Sequence, residues 1–319
     1  MIRIPTALSG DRLLRPLTRA LPFGEGRPLP LHDPTPDPGL FGPGSVTWRV
    51  MREPLLVLGG GRALLLQAAH PLVAQGAIDH STYATDPFGR LNRTIHWVTM
   101  VSFGTTAEAK AASRLVNRLH RSVAGSLPSS HATRRVRSRS PYTATDPELL
   151  LWVHATFVDT MLVTHDALVG GLTEDDRDGF VREWAEVARL MRVPASLLWA
   201  NHREMRDYVD DQIDRGPVRP GAGSRLVSRT VLRPPLRSPA LRPLWDLVSF
   251  TTVGLLPATV RRGYGITWTP AHDAAHQGLR LGIRAARATL PRRFRVSPVH
   301  ELALLRSRGE WPPAQRRAA

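Results

Sequence analysis

Two arginines, Arg90 and Arg93, follow an Asp86-Pro87 pair on a stretch that also carries Thr94 and Trp97. Positions 90, 93, 94, 97 and 101 recur at three- and four-residue spacing, so they share one face of a helix. A guanidinium on such a face needs a partner, either a carboxylate on a neighbouring helix or an anionic ligand. On the next predicted helix His120 shares a face with Val116 and Val123. One imidazole beside two guanidiniums matches haem, whose iron takes an axial histidine and whose propionates take arginine. The same spacing also fits a core histidine with a satisfied hydrogen bond and arginines bridged to Asp or Glu. A third predicted helix carries His154, Met161 and His165 on one face, either as the wall of a pocket or as packed imidazoles.

Other chemistries lack their residues. The chain has no cysteine, which removes disulfides, thiolate metal sites and a cysteine nucleophile together. No Glu-x-x-His pair occurs, as a di-iron carboxylate site requires, and neither His-Glu-x-x-His nor Gly-x-Ser-x-Gly is present. Gly59-Gly60-Gly61 lacks the strand and the Lys-Ser/Thr ending of a phosphate loop, so close helix packing is the expected reason for it.

The elements that position these residues read as helices. Ala84-Thr-Asp-Pro87 and Ala144-Thr-Asp-Pro147 each place an Asp N-cap before Pro at the first helical position. They predict helices over about 87–103 and 147–169. Thr105-Thr-Ala-Glu108 is a capping box for a helix to about Val123, ended by Gly125. Thr173-Glu-Asp-Asp176 starts another to about Met191. Further helices are expected over 194–213, 244–262, 270–290 and 298–306, and the Arg- and Pro-rich run 216–243 reads as a long loop. No run of alternating strands is evident, so the expectation is one all-α domain over 46–319 behind an extended Pro/Gly-rich arm, 1–45.

A net charge of +16 on 319 residues raises nucleic-acid binding through Arg134 to Arg139 and Arg225 to Arg242 as a rival reading. Lys110 is the only lysine, and no recognition motif accompanies the charge. The apolar run Leu244 to Val260 contains Asp246 and Pro257 and ends in Arg261-Arg262, which suits a buried helix or a peripheral membrane contact. The N-terminus shows no continuous apolar signal region, and a cytoplasmic setting is the expectation.

With those residues in view, the chain resembles the family that contains the latex-clearing proteins (rubber oxygenases) and the MpaB-type oxygenase of mycophenolic acid biosynthesis. The resemblance rests on Gln67-Ala-Ala-His-Pro71, Asp86 to Thr94, Phe103-Gly104, His120 to Gly125 and Asp146 to His154, in that order, over about 55–210. It implies a globin-like helical core around haem b and an oxygenase acting with O2 on an apolar, isoprenoid or lipid-like molecule. By position it implies His120 as the proximal iron ligand and Arg90 at a propionate or the distal side. Thr94 would lie near the bound ligand, with His154 in the surrounding pocket; Trp97, on the arginine face, is a further candidate for binding the cofactor. Rubber oxygenases carry a lysine where this chain has Arg93, and a guanidinium has no lone pair to give to iron. Arg93 and Thr94 would then act as hydrogen-bond donors to bound dioxygen. A non-catalytic haem sensor or carrier is the alternative within the same cofactor.

Overall fold

The computed structural model describes residues 33–236 and 238–310. Its first half comprises α1 (Val46–Met51), a 3-10 turn Pro54–Gly59, α2 (Gly60–Ala69), α3 (Pro71–His80), α4 (Pro87–Phe103) and α5 (Thr106–His120). Then follow α6 (Pro147–Leu168), α7 (Glu174–Leu190), α8 (His202–Asp214), α9 (Ala222–Leu232) and α10 (Arg242–Gly254). The last are α11 (Ala258–Gly263), α12 (Pro270–Thr289), α13 (Arg292–Arg295) and α14 (Pro298–Ser307). Among the described residues the fold is all-α apart from one small hairpin, as the helical patterning implied.

The predicted starts are where the capping chemistry puts them. Asp86 accepts from the Gly89 N–H at 2.9 Å to open α4, and Asp146 accepts from Glu148 at 2.9 Å to open α6. Both capping boxes close: Thr105 with Glu108 at α5, and Thr173 with Asp176 at α7.

The centre is α6, buried on nearly all sides, as a helix without a polar stripe must be. One flank, through Val158, Met161 and Leu162, packs with Phe180, Trp184 and Val187 of α7. Trp152 and Ala155 pack with Leu65 and Leu66 of α2 and Val209 of α8. The glycine run lets the 3-10 turn and α2 reach this core. A Cβ on Gly59 would lie 2.4 Å from Thr164 Oγ1, and one on Gly61 2.5 Å from Thr252 Oγ1. Gly59→Ala is therefore expected to lower unfolding free energy by about 1–3 kcal/mol, read as a fall in the urea midpoint; an unchanged midpoint would mean that this approach is not tight.

The described part of the arm, 33–45, packs rather than trails. Asp37 accepts from the Thr106 N–H at 2.8 Å, and Phe41 stacks on Trp184 with centroids 6.4 Å apart. Residues 1–32 of the arm and 311–319 lie outside the described residues.

Four expectations change. The helix after Thr105 ends at His120, and Gly125 sits in a strand, Ala124–Ser126, paired antiparallel with Pro141–Thr143. These strands are too short for alternation to register. The run 216–243 is not a loop throughout, because α9 occupies 222–232. Its buried face is Gly223, Ser224, Val227 and Ser228, small residues that leave no apolar periodicity, while Arg225 and Arg229 stay exposed. The helix expected over 194–213 starts only at His202, after an Asn201 N-cap, and that over 244–262 breaks at Pro257 into α10 and α11. One basic residue of the 134–139 run is also absorbed structurally: Arg135 donates to the carbonyls of Ile213 and Gly216, both at 2.8 Å, at the end of α8. Among the described residues no single helix is long and apolar enough to cross a membrane.

Candidate active site

Helix α4 grades from an open N-terminal half to a buried end, where Met100, Val101, Ser102 and Phe103 enter the core. Phe88 meets Trp245 of α10 edge-on, with centroids 5.5 Å apart. Arg90, two residues on, is half-buried and has no ion-pair partner among the described residues. Burial, and then the neighbouring Arg93, push its guanidinium below the ordinary arginine value. That charge asks for an anion, and among the described residues no carboxylate lies within ion-pair distance of it.

Arg93 differs. It is exposed, donates to Thr82 Oγ1 at 2.9 Å and lies 3.5 Å from Asp86 Oδ2. Thr94 is exposed too, its hydroxyl donating back to the Arg90 carbonyl at 3.1 Å. Trp97, half-buried, packs on the cluster formed by Val101, Val158, Met161 and Trp184, and its indole N–H is buried without a partner.

Helix α5 packs against α4 as an antiparallel neighbour, as the short Gly104-Thr105 connection requires. Asn117 Nδ2 ties its end to α7 by donating to the Leu190 carbonyl at 2.8 Å. His120 is the last residue of α5. Its Nδ1 is buried with no hydrogen-bond partner, while Leu119 beside it is 60% exposed. Burial lowers the His120 pKa, so the ring is neutral at pH 7, the form that can bind a metal.

His154, on α6, keeps part of its surface accessible yet lies far enough inside that burial brings it down to about 4. Its ring stacks on Trp199 at 6.3 Å and leans on Trp184 at 6.4 Å. Trp97 and His154 thus border one aromatic cluster, whereas Arg93 and Thr94 stand on the solvent side of α4. The spacing argument missed Trp184, on α7, and Trp199, in the segment before α8; the signal available was only that two tryptophans occur later in the chain.

The family model for the catalytic domain of the ER-bound oxygenase mpaB/B′ and of rubber oxygenase matches residues 48–288. The chain belongs to this family. The match runs from α1 to the last turn of α12, so α10 to α12, beyond the motifs that carried the resemblance, are part of the mpaB/rubber-oxygenase catalytic domain. No curated protein and no solved structure matches the chain. As a member of this family it is an oxygenase by its catalytic domain.

The residues of this oxygenase domain suit the haem that the rubber-oxygenase branch implies. Among the described residues three groups on α4 and α5 lack partners: the Arg90 charge has no carboxylate within ion-pair distance, and the Trp97 N–H and His120 Nδ1 have no hydrogen-bond partner. One neutral imidazole with an unpaired cation is the donor set for an iron porphyrin carrying carboxylates. Among the described residues no three His, Asp or Glu side chains converge on one point, as a non-haem metal would ask.

Proposed function

We propose that the chain is a haem-dependent oxygenase that uses O2 on an apolar substrate of isoprenoid or lipid-like character. The observation that carries this reading is the pair of demands left unmet among the described residues at Arg90 and His120 on adjacent helices: a half-buried charge without a carboxylate, and a buried ring nitrogen without a partner. His120 would bind the iron, Arg90 would take a propionate, and Trp97 and His154 would line the pocket. When bound, haem supplies the oxygen chemistry, which no side chain of this protein can supply.

The side chains have distinct tasks. His120 reaches its ligand form without losing a proton, since burial already keeps it neutral. Arg90 stays charged, because even a lowered guanidinium remains protonated near neutrality, and it gives an anion a fixed counter-charge. Arg93 is restrained by an exposed pair to Asp86, worth roughly 0–1 kcal/mol, and by an exposed hydrogen bond to Thr82. Its N–H donors would therefore be free to turn towards the cofactor site at little cost. Thr94 would release its hydroxyl from the Arg90 carbonyl to serve as a second donor. Phe157, Met161 and Trp97 keep the surroundings of an apolar substrate dry.

The test is the visible spectrum of the purified protein after reconstitution with haemin. The wild type is expected to show a Soret band that His120→Ala loses, with far-UV circular dichroism unchanged. A wild type that retains no haem under any reconstitution condition would sink the reading.

A further inference from the structure

A cavity of about 420 Å³ opens between the end of α10, α11 and α12, on helices other than those that carry His120 and Arg90. Its walls carry three guanidiniums, Arg261, Arg280 and Arg284, around His276. Asp273 is the one acidic residue there, and its Oδ1 already accepts from the Trp268 N–H at 2.6 Å. Among the described residues none of the three arginines has a carboxylate partner within ion-pair distance.

The arginines are nonetheless held in place. Arg261 lies over the Trp268 ring, 4.6 Å from its centroid, and Arg284 donates to the Asp166 carbonyl at the end of α6. Arg261 Nη1 also donates to the carbonyls of Val253 at 3.5 Å and Gly254 at 3.4 Å, whereas among the described residues the Nε atoms of Arg280 and Arg284 are buried without partners. His276 is 5% exposed and lines the cavity, and its Nε2 is also buried without a partner. Its ring is clamped between Phe250 at 5.9 Å and Trp268 at 6.1 Å, against Gly254, where a Cβ would come within 2.4 Å of the ring. Burial, then Arg280 and Arg261, lower the His276 pKa, so the ring is neutral and adds a donor without adding charge.

We infer that this cavity is a binding site for a phosphate monoester. Three positive charges against one carboxylate leave an excess of two, the charge of a phosphate monoester dianion. Arginine forks are the side chains best matched to its oxygens. The cavity is larger than an inorganic phosphate needs and within the range of organic-ligand pockets, about 300–1,000 Å³. Leu281 at its rim is 58% exposed, so the group that carries the phosphate meets an apolar edge. A soluble phosphate ester and the headgroup of a phosphatidic-acid-like lipid present the same chemistry to these arginines.

The experiment uses the full chain. Phenyl phosphate is titrated by calorimetry, and in parallel the protein is floated with phosphatidylcholine vesicles with and without phosphatidic acid. Saturable binding of either probe is expected, about tenfold or more weaker in Arg280→Gln and intermediate in Arg280→Lys, which keeps the charge but loses the fork. Binding of phenyl phosphate assigns the soluble source, and flotation that depends on phosphatidic acid alone assigns the lipid. Absence of binding to both probes, or affinity equal in wild type, Arg280→Lys and a well-folded Arg280→Gln, overturns the proposal. So does a Soret band that survives His120→Ala but not His276→Ala, because the cavity would then hold the haem. Loss of haem in His120→Ala with phosphate binding intact separates this site from the one on α4 and α5.

Discussion

Asp159→Ala is expected to cost the protein about 3–5 kcal/mol of unfolding free energy, the largest effect of any single truncation considered. Asp159 is fully buried in α6, where Oδ2 accepts from Arg62 at 2.7 Å and Oδ1 from Arg206 of α8. Arg62, itself 1% exposed, also donates to the Leu255 carbonyl at 2.8 Å and to Thr160 Oγ1 at 2.6 Å. Burial alone would raise the Asp159 carboxyl, but the two guanidiniums outweigh it and hold it below the usual carboxylate value. Removing the carboxylate leaves Arg62 charged among neutral acceptors in a dry interior. The double variant Arg62→Met/Asp159→Ala should recover much of the loss, because no unpaired charge remains. Urea midpoints at neutral pH would check both. A loss below about 1 kcal/mol in the single variant would mean that water reaches Arg62, contrary to its burial. Since His154 lies on the same helix, the tilt of α6 set by this ion network also sets where His154 stands.

Acidification from pH 6.5 to 4 is expected to unfold the protein. Their surroundings bring His70, His154 and His165 each down to about 4, from the ordinary histidine value of about 6.5. Burial is the main cause in all three; at His165 the charges of Arg287, Arg52, Arg49 and Arg177 add to it, and at His70 Asp146 opposes it. Above pH 6.5 these rings are neutral in both folded and unfolded chains and cost nothing. As pH falls below 6.5 the unfolded chain binds protons that the folded one refuses, so stability drops until about pH 4, where the folded state protonates too. Each ring contributes a slope of about 1.4 kcal/mol per pH unit, and three together about 4. Over two pH units that is about 8 kcal/mol, enough to unfold a chain in the lower part of the typical range of about 5–15 kcal/mol. His165→Gln should flatten the profile by about a third. Urea midpoints that stay constant from pH 7 to pH 4.5 would refute this account.

How much was legible varies with how local the cause is. The starts of α4, α6 and the capping-box helices were readable to within a residue, since an Asp or Thr cap acts over two or three positions. The close-packing reading of the glycine run held for Gly59 and Gly61 but not for Gly60, where a Cβ would meet open space. Helix α9 was invisible, since its buried face consists of small residues that only a close neighbour makes useful. The hairpin around Gly125 escaped for a similar reason: three-residue strands exist through their pairing partner rather than through alternation.

At the candidate site the local rule also divided the residues. Arg93 finds Asp86 and Thr82 just upstream of its own helix, so its partners were within reach of the sequence alone. The isolation of Arg90 was not, because an unpaired charge is defined by the absence of carboxylates on every helix that packs nearby. The same holds for His120, whose spacing fitted a satisfied core histidine equally well until Nδ1 proved buried without a partner.

By itself the sequence determined the helical class, the main helix starts, the family motifs and the small set of histidines and arginines proposed to meet an iron porphyrin. Capping, periodicity and motif order act along the chain, so they survive without coordinates. Only the tertiary structure decided which of those side chains are left without partners, that Asp159 rather than a ligand neutralises Arg62, and that three arginines from α11 and α12 converge around His276. Pairing and desolvation depend on which helices meet, at what distance, and no periodicity in one helix records its neighbours' charges.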